Sequence, residues 1–265
     1  MDKRKQILES IYGDGREETR LARTRHGQLE YLTTMGCIDR YAPYPGAVLE
    51  LGAGTGTYSL ALAREGYEVT ALELVSKNVE LLRQKAKGRP RLQVFQGDAL
   101  DLSRFLDDSF DLTLCLGPLY HLYDRADMDR ALNEALRVTR PGGVLMAAFL
   151  SVHAILYANY LQAPPYTFRA GLAENFDEGM EPRHFPEQVF TGFTLREMEG
   201  LFAEKALDPV AIVSTDGGLE IAEGRADFCL SDEDFRAFAA YHLHHCQDRE
   251  LLGLSNHLLY ICRKR

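Results

Sequence analysis

The sequence has no Cys-x-x-Cys pair, and its five cysteines, at 37, 115, 229, 246 and 262, are odd in number and widely scattered. A disulfide framework and a structural zinc site are therefore not expected, and no metal is. No run approaches the roughly 18 uncharged apolar residues of a membrane span. The start, MDKRKQILES, lacks the apolar core of a secretory signal. A reducing cytoplasm is the compartment these absences lead us to expect. Positive charge is in deficit: 30 Lys and Arg face 39 Asp and Glu, a net charge of −9. That balance argues against a general nucleic-acid coat or a binder of acidic membranes, although it leaves room for a local basic patch. Neither an internal repeat nor a low-complexity tract occurs. What is present suffices for a sizeable core: 265 residues, 46% hydrophobic and 26% charged, enough for one elaborated α/β domain or two smaller ones.

Short aliphatic runs alternate with helical patterns through the middle of the chain, which predicts a parallel sheet covered by helices. Strands are expected at 47–51, 67–74, 92–96, 110–116 and 144–150, the fourth apolar enough to be buried on both faces. A helix at 57–65 ends at Gly66, and another runs from Ser76, read as its N-cap, to about residue 87. Asp124 can cap the next helix. Its Met128, Ala131, Leu132, Ala135 and Leu136 form one stripe, Arg137 and Arg140 fall in its last turn, and Pro141-Gly142-Gly143 stops it. The rhythm breaks at 151–193, a segment rich in Pro and aromatic residues that reads as an insertion, Pro164 included. It resumes with Thr194 capping a helix to about 205, a strand at 207–214, an ambiguous stretch at 217–230, a helix at 231–247 and a last strand at 256–262. The first 45 residues read as mainly helical.

The first strand runs into Gly52-Ala53-Gly54-Thr55-Gly56 and then a helix. Glycines let the backbone turn sharply and let a ligand come close, and the helix start behind them offers unpaired N–H groups. A ligand-free tight turn is the plainer alternative. Glu73 ends the second strand about 20 residues on, where an acid can accept both ribose hydroxyls. The third glycine comes one position early for the dinucleotide pattern, so NAD is not favoured. Gln96-Gly97-Asp98-Ala99 ends the third strand; an acid beside small residues suits an adenine amino group, and Gly97-Asp98 reads equally well as an ordinary turn.

With these residues in view, the chain resembles the class I S-adenosylmethionine-dependent methyltransferases. The matching segments are LELGAGTGTYSLALA, ALEL ending in the acid, QGDAL, FDLTLCLGPLYHL and RVTRPGGVLMAAF, in the family's order over residues 46–150. The resemblance implies an α/β, Rossmann-like, seven-stranded and mostly parallel sheet of order 3-2-1-4-5-7-6, its seventh strand antiparallel, with helices on both faces and a helical cap. Residues 1–45 would form that cap and 46–265 the methyltransferase domain, with substrate-cap insertions at about 151–193 and 217–250. The implied cofactor is S-adenosylmethionine, released as S-adenosylhomocysteine. Carried over by position, Gly52, Ala53, Gly54 and Gly56 would lie along its methionine part, Glu50 would hold the amino end, Glu73 the ribose hydroxyls and Asp98, after Gly97, the adenine N6. Leu74 and Ala99 would flank the ring, and Leu116 and Gly117 would face the sulfonium. Thr139-Arg140 replaces the commoner Leu-Lys before Pro-Gly-Gly, without consequence for binding. A looser subgroup shares GPLYHL after the fourth strand, an LExLT-like helix (here in HGQLEYLTTM) and an SNHLL-like end. It points to small-molecule or unknown acceptors.

Methyl transfer needs alignment above all, and a base only where the acceptor must lose a proton. His121, just after the fourth strand, has a suitable pKa range for that role, and packing beneath the next helix is its alternative. Tyr120 is the second catalytic candidate, or a group that contacts the acceptor. Tyr12, Arg25, His26, Tyr31, His153 and Tyr157 are acceptor-side candidates, since they lie outside the sheet pattern. The expected partner is a small molecule, with neither nucleic acid nor membrane. Rival readings are a non-catalytic cofactor-binding protein of this fold, an NAD-type oxidoreductase and an RNA methyltransferase. His242, His244, His245 and Cys246 read as part of a partly exposed helix rather than a metal site, and Arg16, Arg20, Arg23 and Arg25, interspersed with Glu17 and Glu18, as a solvated face.

Overall fold

A computed structural model describes residues 3–13, 16–162 and 165–265, without the side chains of 16 and 17. Pro164 of the expected insertion and the side chains of Arg16 and Glu17 lie outside the described residues. The chain opens with helices α1 (Lys3–Tyr12), α2 (Arg20–Arg23) and α3 (Arg25–Tyr41). An alternating series follows: β1 (Ala47–Leu51), α4 (Thr57–Glu65), β2 (Glu68–Glu73), α5 (Ser76–Ala86), β3 (Leu92–Gln96), β4 (Phe110–Cys115), α6 (Arg125–Val138) and β5 (Thr139–Ser151). The expected insertion holds α7 (Val152–Tyr160), α8 (Phe168–Asn175) and the two-residue β6 (Gly192–Phe193). The remainder is α9 (Leu195–Phe202), β7 (Leu207–Ser214), α10 (Leu219–Glu223), α11 (Asp232–His245), α12 (Arg249–Leu252) and β8 (His257–Lys264). The ambiguous stretch at 217–230 thus contributes a short helix, α10.

The sheet order is β3-β2-β1-β4-β5-β8-β7, with β6 pairing β5. Setting the short β6 aside, that is the 3-2-1-4-5-7-6 order implied by the resemblance. β8 runs antiparallel to both of its neighbours, and the other pairs are parallel. Helices cover both faces, so the central strands read as continuous apolar runs. Val48, Leu49, Leu51, Leu112, Leu114, Val144 and Leu145 are fully enclosed, each contributing on the order of 1.5–3 kcal/mol by burial. Among the described residues no helix is long and apolar enough to cross a membrane.

Two local expectations need correction. Ser76 is the first residue of α5 rather than its cap, a position that falls to Val75; instead Glu9 of α1 accepts from the Ser76 amide at 2.9 Å and from its hydroxyl at 2.8 Å. The carboxylate of a distant helix does the work expected of a local hydroxyl. Arg140 lies beyond α6, which ends at Val138, and β5 begins at Thr139 rather than 144. The buried Thr139 hydroxyl donates to the Ala135 carbonyl at 2.7 Å and meets the Thr113 hydroxyl at 2.7 Å, pinning the end of the helix to β4. Arg140 instead pairs with Asp111 at 2.7 Å.

Candidate functional site

A cavity of about 520 Å³ opens at the carboxyl ends of β1, β2, β4 and β5, the place where open α/β sheets bind ligands. Its floor is the glycine turn. Gly52 (φ +71°) and Gly54 (φ +55°) take the left-handed conformation, and a Cβ on Gly52 would come 2.9 Å from the Pro118 ring. The Gly52 and Ala53 amides donate to the Leu72 carbonyl. Glu73 braces the turn: its carboxylate accepts from the Gly54 amide at 2.7 Å and from the Val75 amide at 2.8 Å.

Glu50, Gly52, Ala53, Gly54, Glu73, Leu74, Gly97, Asp98, Ala99, Leu116 and Gly117 all line this cavity. Gly56 does not. It takes φ +88° at the start of α4, and a Cβ there would sit 2.1 Å from Leu82 Cδ1, so close helix packing requires it. Glu50 is buried and accepts a bond from the Ser59 hydroxyl. Burial, helped by the nearby Glu73 charge and opposed by Ser59, pushes its carboxyl up to about 7. Asn78 also lines the cavity, and its Oδ1 is buried without a partner among the described residues. An orphaned acceptor beside Glu73 and the glycine turn fits a nucleoside ligand with hydroxyl or amino donors.

The first helix closes over this end. Arg4 pairs with Asp98, whose other oxygen accepts from the Leu100 amide at 3.1 Å. Sequence reading missed Arg4, because nothing local ties it to the third strand. Tyr12 donates to His121 Nε2 at 2.9 Å, and His121 Nδ1 donates to the Val189 carbonyl at 2.8 Å. Burial lowers the His121 pKa to about 4, with Arg4 adding to the shift and the Val189 bond opposing it. The ring is neutral near pH 7. Tyr120 lines the cavity, but its hydroxyl donates to the Leu116 carbonyl at 2.8 Å.

Of the six acceptor-side candidates, Tyr12 and His26 line the cavity, and His26 Nδ1 lies 2.5 Å from Glu223. The other four do not. Arg25 pairs with Asp232 and lies over the Phe235 ring, Tyr31 stacks on Tyr58, His153 stacks on Phe176, and Tyr157 is exposed on α7. Arg20, read as part of a solvated face, instead makes two bonds of 2.7 and 2.9 Å to buried Glu30 and reaches the cavity wall. The sequence did carry a signal for this pair. Glu30 shares the i, i+3, i+4, i+7 stripe of α3 with buried Thr33, Thr34 and Cys37. Glu220, Asn256 and His257, which also line the cavity, were not singled out. His242 donates to the Ser214 carbonyl at 2.9 Å, a structural bond. Ligand atoms of Asp216, Glu220 and His257 lie within 4.8 Å of one another. Asp216 is already engaged by the Ser255 hydroxyl at 2.5 Å, the Asn256 amide at 3.1 Å and the His257 ring at 2.7 Å.

Residues 49–147 match the family described as "Methyltransferase domain". The chain is 30% identical to the putative methyltransferase YqeM of Bacillus subtilis (strain 168) over 110 residues, 41% of this chain and 44% of that one. It is 34% identical to the demethylmenaquinone methyltransferase of Beutenbergia cavernae over 184 residues, 64% of this chain and 72% of that one. The match thus spans less than half of YqeM. Among solved structures, N-methyltransferase NodS from Bradyrhizobium japonicum WM9, in complex with S-adenosylhomocysteine, aligns with a TM-score of 0.59 at 17% identity over 99% of each chain, a likeness of fold. Together with the glycine turn and the acid that ends β2, these matches show that the chain belongs to the class I S-adenosylmethionine-dependent methyltransferases, whose cofactor is S-adenosylmethionine.

Proposed function

We propose that this chain transfers a methyl group from S-adenosylmethionine to a small-molecule acceptor. The observation that carries the reading is that one cavity joins the glycine turn, Glu73 and Asp98 to a second set of polar side chains from α2, α3, α10 and the start of β8. A cofactor cradle and an acceptor chamber are thereby continuous. The net charge of −9 supports a small molecule over nucleic acid. The names of relatives that act in quinone biosynthesis support it too. GPLYHL at 117–122 resembles the looser subgroup with small-molecule or unknown acceptors and is compatible with this reading, and the free cysteines suit a reducing cytoplasm.

The cofactor supplies a methyl carbon already activated by a sulfonium. The chain's contribution is alignment, which is worth on the order of 7 kcal/mol in good cases. Glu50 would hold the cationic amino end, Glu73 the ribose hydroxyls and Asp98 the adenine amino group, with Leu74 and Ala99 against the ring. Leu116 and Gly117 would face the reacting carbon. Neutral His121, oriented by the Val189 carbonyl and bonded to Tyr12, is the group that would take a proton from the acceptor, Tyr12 relaying it.

Calorimetry with S-adenosylhomocysteine and with NADH tests the cofactor. The first should bind and the second should not; the reverse would establish the oxidoreductase rival. Incubation with methyl-labelled cofactor and a small-molecule extract, read by mass spectrometry, tests the activity. A labelled small product is expected. Label confined to added RNA, or no label with any acceptor, would overturn the proposal.

A further inference from the structure

On the half of the sheet away from Asp98, the carboxyl end of β5 meets the start of antiparallel β8, where Leu150 pairs with His257. Asn256, His257 and Glu220 line the cavity at this corner. Asn256 Nδ2 donates to Glu220 Oε2 at 2.6 Å, which sets the orientation of the amide. Its Oδ1 is left buried and without a partner among the described residues, in a residue only 8% exposed. An acceptor in that position calls for a donor from a ligand, because a buried acceptor left unmet is costly. His257 is gripped from its other side. Its Nδ1 donates to Asp216 Oδ2 at 2.7 Å, and carboxylate oxygens of Glu30 and Glu220 stand 3.9 Å from the same nitrogen. Burial and, less strongly, the Arg20 charge disfavour the protonated form, but Glu30 and Asp216 outweigh them and keep the ring protonated. Nε2 therefore also carries a hydrogen, and the ring lines the cavity.

Few chemical groups satisfy this pair. An ammonium can donate to Asn256 but has no lone pair for the imidazolium. A carboxylate or an ether can accept from His257 but offers Asn256 nothing. A hydroxyl does both through one oxygen. An imidazolium beside it favours a hydroxyl able to carry negative charge, and Leu21, Leu150 and Ile155 make the adjoining walls apolar.

We propose that this corner is the acceptor subsite and that it takes a phenolic or enolic hydroxyl on an apolar body, which donates to Asn256 Oδ1 and accepts from His257 Nε2. The assignment rests on reading the cavity as a methyltransferase site. It names the group by which the acceptor is recognised.

The test is calorimetric titration of the protein loaded with S-adenosylhomocysteine, using catechol, its dimethyl ether and benzylamine as probes. Catechol should bind at least about tenfold more tightly than the other two, and Asn256→Leu should weaken it by about tenfold, a difference of roughly 1.4 kcal/mol. S-adenosylhomocysteine affinity should stay within about twofold in that variant. His257→Gln should act in the same direction, and where it does not fold, Asn256→Leu alone decides. No catechol binding, equal binding of the ether, tighter binding of benzylamine, or indifference to Asn256→Leu would each overturn the subsite. Failure of the wild-type protein to bind S-adenosylhomocysteine would overturn the methyltransferase reading instead.

Discussion

The Tyr12 hydroxyl lies 2.9 Å from His121 Nε2, joining α1 to the turn after β4 across 109 positions of sequence. Since Nδ1 is committed to the Val189 carbonyl, Nε2 is the acceptor, and the phenol is its donor. The pair is thus a neutral base with its lone pair already directed along a hydrogen bond.

If His121 takes the acceptor's proton, His121→Gln should lower kcat by about 100-fold or more while leaving the KM for the cofactor unchanged. A packing role would lower the melting temperature and spare kcat. Tyr12→Phe should leave Nε2 buried and unpaired, lowering stability by about 1–3 kcal/mol in urea unfolding.

Glu50, with its carboxyl near 7, gives a pH signature in binding. The free protein holds a proton there below that value, and a cationic amino end favours the ionised form. Affinity for S-adenosylhomocysteine should therefore rise between pH 6 and 8, with proton release visible in buffers of different ionisation enthalpy. Glu50→Gln should abolish the step; a flat wild-type profile would remove Glu50 from this role.

The Glu30–His257 cluster should shape stability at both ends of the pH scale. Burial works to raise the Glu30 carboxyl, but Arg20 and His257 outweigh it and hold it at about 2. Its contribution is full above the ordinary carboxylate value of 4.5 and lost as pH falls through about 2. Burial works to lower His257, but Glu30 and Asp216 raise it to about 9, so its contribution is full below 6.5 and lost as pH rises through about 9. The stability difference between wild type and Glu30→Gln, from chemical denaturation, should be largest between these limits and shrink beyond both.

Gly56 should matter for folding. Gly56→Ala combines a left-handed φ of +88° with a Cβ 2.1 Å from Leu82, and should cost more than about 1 kcal/mol. Leu82→Ala alone should cost about 2–5 kcal/mol, and the double variant should fall short of the sum, because the smaller side chain relieves the clash. Full additivity in urea unfolding would show that the two do not press on each other.

The strand-end wall of the cavity was legible because it is local. Gly52, Gly54, Glu73 and Asp98 each stand at a strand end, where spacing along the chain fixes spacing in the fold. Gly56 misled because it shares a motif with cavity residues while serving the packing of α4 on Leu82. Arg4, Arg20, Glu220 and Asn256 were hidden for the opposite reason: each meets its partner only through tertiary packing. Arg20 looks solvated beside its neighbouring glutamates, until α2 and α3 fold together and place it on Glu30. Arg25, Tyr31, His153 and Tyr157 were drawn in by composition, and the structure gives each a partner or a surface position away from the cavity.

Because β8 runs against the rest of the sheet, its beginning, rather than its end, opens on the cavity, and it is clamped there by β5 and β7. On the proposed reading, the stretch that would hold the cofactor and the stretch that would choose the acceptor are written in separate parts of the chain. Exchanges at 216–257 would then retune the acceptor while leaving the glycine turn and the strand-end acids at 50–117 in place, so divergence of substrate range would be structurally inexpensive in this architecture.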